Sequence, residues 1–261
     1  MGIVNATPDS FSDGGRHADE VAACAHCERL VEEGADVLDI GGESTRPGAT
    51  PPPEQEELAR VLPVVRHAVR LGVPVSVDTS RPAVMAAVLE AGADVINDVR
   101  ALRLPGALAA VVAHGSAGVC LMHMQGEPAQ MQQAPHYGDV VPEVSAFLAQ
   151  RLDAVQAAGV AAQRIVLDPG YGFGKTLDHN LTLFRGQRQL CTLGRPLLVG
   201  WSRKGTLGQL TGRAAGERLA ASVGAALAAV AHGARIVRVH DVAATVDALK
   251  IWNAAGLGAA A

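Results

Sequence analysis

Short apolar runs and longer amphipathic stretches alternate along the whole chain, and each apolar run ends in a polar tip. Runs of four to six β-branched or apolar residues read as strands, and the longer stretches between them as helices. The predicted strands are residues 2–5, 36–40, 74–78, 94–97, 118–122, 164–168, 196–200 and 234–239. Predicted helices cover roughly 17–34, 53–71, a stretch with Pro82 in its first turn, 140–158, 178–190, 216–232 and a last one ending near Ala254. Eight such alternations are the arithmetic of a closed α/β barrel, the (β/α)8 TIM barrel. An open doubly wound sheet more often has five to seven strands. No linker, low-complexity tract or break in composition divides residues 1–261, so a single domain is expected. The longest irregular segment, 124–139, is a candidate lid, as is the tip of the first strand.

In such barrels the C-terminal strand ends build the active site. Collected here, those ends are Asn5, Thr45, Arg46, Asp78, Asn97, Met122, Asp168, Lys204, Arg238 and His240. Asp78, Asn97 and Asp168 come from three different strands and suit the donors and acceptors of a flat heterocycle. Asn5, Arg46, Arg238 and His240 suit an anionic ligand with a divalent metal. Each has a plainer alternative: Asp78 and Asp168 as helix N-caps, Asn97 as a loop cap, His240-Asp241 as a cap of the last helix. Lys204 is one of three lysines, beside Lys175 and Lys250, in a chain that otherwise uses arginine. A lysine at a strand end among arginines points to a role that guanidinium does not fill. The densest tip is Asp39-Ile-Gly-Gly-Glu-Ser-Thr-Arg-Pro-Gly48, where two glycines allow close backbone approach and Arg46 can fork onto oxyanions.

Composition narrows the function class. Twenty-two basic against 26 acidic residues give a net charge of −4, and no basic run reaches five, which argues against a nucleic-acid partner. The alanine-rich run at 219–231 is too short to span a membrane, and no signal-peptide pattern opens the chain, so a cytoplasmic enzyme is expected. Four cysteines are too few to staple a chain of this size. Cys24-Ala-His-Cys27 falls inside a helix rather than at its N-terminus, so it reads as packing rather than redox chemistry. Gly170-Tyr-Gly-Phe-Gly-Lys-Thr176 mimics a phosphate loop, but Pro169 stands where its first glycine is required.

The ordered motifs resemble those of one family. Asn5-Ala-Thr-Pro-Asp-Ser-Phe-Ser-Asp-Gly-Gly15 and the 39–48 stretch look like the two signatures of the dihydropteroate synthases. Ser76-Val-Asp-Thr-Ser80, Ile96-Asn-Asp98, Leu121-Met-His-Met-Gln125, Asp168-Pro-Gly-Tyr-Gly-Phe-Gly174, Ser202-Arg-Lys204 and Arg238-Val-His240 follow in order. The resemblance covers nearly the whole chain. It implies a pterin-binding barrel that joins 6-hydroxymethyl-7,8-dihydropterin diphosphate to 4-aminobenzoate with Mg2+, releasing diphosphate. It further implies that Asp78, Asn97, Asp168 and Lys204 hold the pterin, with Met122 and Phe173 packed beside it. Asn5 is then the metal ligand, and Thr45, Arg46, Arg238 and His240 hold the diphosphate. Thr45, Pro47, Ser202 and Lys204, with Phe11 of the first loop, frame the aminobenzoate. Asp168, Lys204, Arg238 and His240 are the expected catalytic residues, and a homodimer is the expected assembly.

Three departures stand out. The chain opens inside its first strand, where family members usually carry an extension that plugs the barrel bottom, so that plug is expected to be missing or trimmed. Ala6 replaces a more usual valine, and Gly205 a common serine. Two competing readings remain. A methyltetrahydrofolate-dependent methyltransferase shares Asp78, Asn97 and Asp168 but has no need of the Ser-Thr-Arg-Pro loop. A pterin-binding relative without catalysis should lack some of the diphosphate or lysine positions, all of which are present.

Overall fold

The alternation of side chains along each strand decides the architecture. In residues 75–78, Val75 and Val77 belong to the apolar core, whereas Ser76 and Asp78 turn to the opposite face and bond to other polar side chains. A parallel sheet with helices on one face and a polar interior at one end closes naturally into a barrel.

The computed structural model describes residues 1–6, 16–43 and 50–258, with backbone alone for 16–18. Strand β1 (Gly2–Asn5) leads to α1 (Arg16–Glu32), β2 (Leu38–Gly41) to α2 (Glu54–Ala68), β3 (Val75–Asp78) to α3 (Pro82–Glu90), and β4 (Val95–Asp98) to α4 (Ala107–His114). Strand β5 (Gly118–Met122) leads to α5 (Val140–Ala157), and β6 (Ile165–Asp168) to α6 (Leu177–Arg185) and the one-turn α7 (Gln187–Leu190). Strand β7 (Leu198–Val199) leads to α8 (Gly205–Thr211) and α9 (Leu219–Ala231), and β8 (Ile236–Val237) to α10 (Val242–Ala254).

Strands β1 to β6 form one parallel sheet in sequence order, and β7 pairs with β8. Two bridges close the ring: Leu167 with Leu197 joins β6 to β7, and Gly2 with Val239 joins β8 to β1. Ile3 N donates to Val239 O at 3.0 Å and Val239 N to Met1 O at 3.0 Å. The eight-stranded barrel expected from the pattern is therefore complete. Its core fills the layer between strands and helices, with Leu38, Ile40, Ile96, Leu121, Ile165 and Leu167 fully buried. Tyr171 stacks on Trp201 at 4.4 Å, with Phe184 against both, behind the tips of β6 and β7.

Several boundaries differ from the expectation. The helix expected over 178–190 breaks at Gly186, where a Cβ would lie 2.8 Å from Val141 of α5. Helix α9 starts at Leu219 rather than residue 216, after a 3-10 turn at Ala215–Glu217. Helices α4 and α8 stand outside the predicted set, because eight and seven residues are too few to display an amphipathic period. The last strand is two residues long, because Arg235 N and Ile236 N both donate to Leu197 O and interrupt the ladder. The segment read as a candidate lid is tied down in this structure. Gln125 and His136 exchange two hydrogen bonds, Met124 and Met131 are buried, and Tyr137 Oη donates to Gly174 O at 2.8 Å. The other lid candidate, the tip of β1, lies outside the described residues.

Candidate active site

Register places the strand-end residues in a row. Asn5 pairs with Gly41, Gly41 with Asp78, and Asp78 with Asn97, across β1 to β4. Gly41 has no side chain between Asn5 and Asp78, and a Cβ there would already approach the Asp78 Cβ at 3.5 Å. One step round the barrel, Met122 of β5 pairs with Asp168 of β6.

The centre of this mouth is an ion-paired cluster. Arg238, just past β8, donates from Nε to Asp39 Oδ2 at 2.5 Å and from Nη2 to Asp78 Oδ2 at 3.1 Å. Asp39 is fully buried; Ser76 Oγ donates to its Oδ1 at 2.6 Å and Asn97 Nδ2 lies 3.3 and 3.4 Å from its two oxygens. Burial works against the charge of Arg238, but Asp39 and Asp78 outweigh it and hold the pKa above the usual arginine range. Burial raises Asp78 above the ordinary carboxylate range, and the guanidinium opposes that rise. Sequence reasoning read Asp39 as part of a buried strand and missed it as a site residue. Its signal was an aspartate inside an apolar run, two residues before Gly41 and so on the same inward face.

Asp168 closes the opposite wall. Gly170 N donates to its Oδ1 at 2.7 Å, and burial raises its pKa while Lys204 draws it down. Phe173 packs against the apolar cluster of Val99, Met122, Met124 and Met131. Lys204 Nζ sits 4.8 Å from the centroid of the Phe173 ring and donates to Tyr171 O. Burial lowers the Lys204 pKa to about 8, against the pull of Asp168. Asp78 and Asp168 are therefore not N-caps: the helix after β3 is capped at Arg81 with no side-chain bond and α6 is capped by Thr176, while Asp78 pairs with Arg238 and Asp168 accepts from Gly170 N of its own loop.

Lys204 is carried on a tight turn. Arg203 has a left-handed φ of 57°, an uncommon conformation for a residue with a side chain. The turn is held by Arg203 N donating to Ser222 Oγ at 2.9 Å and by Arg218 Nη1 donating to the carbonyls of Arg203 and Lys204 at 3.0 and 3.3 Å. Ser202 Oγ meets His240 at both N, 3.1 Å, and Nδ1, 3.0 Å, joining the tips of β7 and β8. Asp241 makes no cap bond from its side chain to α10 and instead pairs with Arg203.

The structure thus brings together Asp78, Asn97 and Arg238 around Asp39, Met122 with Phe173, Phe173 with Lys204, and Ser202 with His240. Asn5 ends β1 in the same row as Asp78. Phe11, Thr45, Arg46 and Pro47 lie outside the described residues. The two cysteines of the C-x-x-C sit mid-helix in α1, and burial raises the Cys27 thiol to about 12, as packing residues require. Among the described residues, no helix is long and apolar enough to cross a membrane.

A mouth lined by two aspartates, an asparagine, a lysine and an arginine, with an apolar wall beside them, can grip a flat polar ring and an attached anion. Comparison with known proteins agrees. The family model for pterin binding enzymes matches residues 1–240. A dihydropteroate synthase of Neisseria meningitidis serogroup B is 55% identical over 263 residues, spanning 98% of this chain and 92% of the relative. Xanthomonas albilineans dihydropteroate synthase, solved with 4-aminobenzoic acid, superposes with a TM-score of 0.93 at 55% identity over 98% of this chain and 92% of that one. The X. albilineans enzyme in complex with 7,8-dihydropteroate gives a TM-score of 0.89 at 52% identity, with the same coverage. The chain belongs to the pterin-binding enzyme family and, within it, to the dihydropteroate synthases.

Proposed function

We propose that the barrel mouth binds a dihydropterin diphosphate and 4-aminobenzoate and transfers the pterin methylene from diphosphate oxygen to the aminobenzoate nitrogen. The observation that carries this reading is the Asp39–Arg238–Asp78 cluster facing Asp168 and Lys204 across one mouth. The carboxylates of Asp78 and Asp168 and the amide of Asn97 accept and donate along the edge of the ring, and Phe173 and Met122 cover its apolar face. As the carbon–oxygen bond breaks, positive charge spreads into the ring, where Asp168 stabilises it. The leaving diphosphate gathers negative charge beside Arg238 and His240, with Thr45 and Arg46 supplied by the second loop. The amine of 4-aminobenzoate, placed by Ser202, Lys204, Thr45, Pro47 and Phe11, forms the new carbon–nitrogen bond and loses one proton to solvent. The amine is nucleophilic near neutral pH, so no activated serine or cysteine is required.

The donor set at β1 fits Mg2+. Asn5 offers a hard amide oxygen, and Mg2+ commonly keeps several waters and takes one or two protein oxygens together with substrate phosphates. Among the described residues no group of three or more His, Cys, Asp or Glu could cage a metal, so the ion would arrive with the diphosphate. Bound there, it would neutralise charge on the leaving group. We further take the chain as one pterin-binding domain, acting as a homodimer in the cytoplasm.

Diphosphate release by the purified chain tests the reading, with dihydropterin diphosphate, 4-aminobenzoate and Mg2+ omitted in turn. Release that requires all three is expected. Tight pterin binding without aminobenzoate-dependent release would sink the catalytic reading and leave a binding protein.

A further inference from the structure

Lys175 is buried to 3% exposure, yet none of the contacts that join the strand-end residues uses it. Its Nζ donates to Gly170 O at 2.9 Å and Phe173 O at 3.1 Å, and lies 2.9 Å from His123 Nδ1. Burial lowers the Lys175 pKa to about 7, with Asp168 opposing; in the protonated form its three N–H donors are saturated by these three partners. His123 then accepts at Nδ1 and carries its own proton on Nε2. Burial, with the lysine charge adding to it, pushes the His123 pKa down to about 2 and keeps the ring neutral.

The chain around this lysine has an unusual course. Gly170, Gly172 and Gly174 all have positive φ, at 68°, 83° and 60°. This lets the loop after β6 lie backbone against backbone on the loop after β5. A Cβ at Gly170 would fall 1.8 Å from His123 O, and one at Gly174 2.3 Å from Gln125 O. Two of the carbonyls exposed by that course, at 170 and 173, converge on the Lys175 ammonium. Buried carbonyls need donors, and one cation serves both.

The same few residues set one wall of the site. Gly170 N holds Asp168, Tyr171 O accepts from Lys204, and Phe173 packs on the Met122 cluster. On the far side the turn that carries Lys204 is held by Ser222 and Arg218, and the Ser202–His240 contact joins the tips of β7 and β8; Lys204 alone reaches across to Tyr171 O and Phe173. We propose that Lys175 is a positioning residue, which clamps the loop after β6 onto the loop after β5 and so fixes the Asp168–Phe173 wall that receives the ring. This rests on the pterin-binding reading above. The glycine-rich sequence that mimics a phosphate loop thereby acquires a use: its lysine binds the carbonyls of its own loop and not a phosphate.

The test is Lys175→Met, which keeps the length of the side chain and removes its donors, with Lys175→Gln as a second variant that keeps two donors without the charge. Dihydropterin affinity is measured by calorimetry, and steady-state constants by diphosphate release. The Met variant should bind dihydropterin about tenfold more weakly, near 1.4 kcal/mol. Its KM for dihydropterin diphosphate should rise in step, kcat should fall by no more than about tenfold as Asp168 loses its placement, and KM for 4-aminobenzoate should rise less; the Gln variant should fall between it and wild type. If the Met variant does not fold, the Gln variant is judged by the same selective rise. Unchanged dihydropterin affinity in a folded variant, or an equal loss in both KM values, would overturn the positioning role. Absence of dihydropterin binding by the unmodified chain would overturn the pocket reading itself, and the role of Lys175 with it.

Discussion

Asp39 and Arg238 meet inside the barrel mouth at 2.5 Å although 199 residues separate them in the chain. The contact reaches from the tip of β8, past β1, to the middle of β2. Because Asp39 is fully buried and also accepts from Ser76 and Asn97, it anchors three strands at once. Asp39→Ala should destabilise the fold by up to about 3 kcal/mol, since it leaves a half-buried guanidinium with one of its two carboxylates gone. Asp39→Asn, which keeps most of the shape, should cost less stability and still lower kcat/KM at least about tenfold. Denaturant unfolding and diphosphate release on the two variants check this; an Asn variant with wild-type kcat/KM would remove Asp39 from the site.

Removing the cation of the same cluster should make stability depend on pH. Burial raises Asp78 even with Arg238 present. In Arg238→Met the opposing charge is gone, so Asp78 should rise further, with Asp39 unneutralised beside it. A carboxyl with a raised folded pKa contributes stability at low pH that is lost as pH climbs through that folded value. The variant should therefore lose stability relative to wild type between about pH 4 and 8. Unfolding free energies at both ends of that range decide it, and parallel curves would contradict the pairing.

Lys204 should shape the alkaline limb of the activity profile. Burial brings its pKa down to about 8, so the ammonium is lost within the working range. We expect kcat/KM for dihydropterin diphosphate to fall above pH 8 as the contacts to Tyr171 O and Phe173 lose their charge. Lys204→Arg should move that limb upward by more than a pH unit while lowering the plateau about tenfold, because a planar fork does not fit a site shaped for a point charge. A limb near pH 8 that persists in the Arg variant would assign it to another group.

Two glycines separate conformation from contact. Gly194 has φ 70° with nothing near its missing Cβ, so Gly194→Ala should cost only about 1–2 kcal/mol. Gly170 has φ 68° and a carbonyl oxygen 1.8 Å from that position. Gly170→Ala adds a steric clash to the same backbone strain, so about 3–5 kcal/mol, with loss of dihydropterin binding, is expected. Thermal unfolding of the pair checks the difference, and equal shifts would mean that the two loops separate easily.

Much of this was legible from the chain alone. Strands of four or five residues with a polar tip stand out because β-branched runs and period-two alternation are local properties. Asp78, Asn97 and Asp168 could be found as strand ends without knowing what they touched. Asp39 carried a local signal, an aspartate inside an apolar run, but the partner that gives it weight, Arg238, comes from the far end of the chain. Helices α4 and α8 were too short to carry a period. The bonds that tie down segment 124–139, such as Tyr137 to Gly174, could not be read from the chain because they join segments 37 residues apart.

The uneven lengths of the strands have a consequence for how the mouth breathes. Asp78 and Asp168 end four-residue strands, and Asn97 lies one residue before the end of another, in a continuous six-stranded ladder, whereas Ser202, Lys204, Arg238 and His240 follow strands of only two paired residues. Amide protons on the six-stranded side should exchange with solvent only on large-scale opening, and those of β7 and β8 through smaller fluctuations. On the proposed reading the ring meets a stiff template, and the anion leaves from the more yielding side.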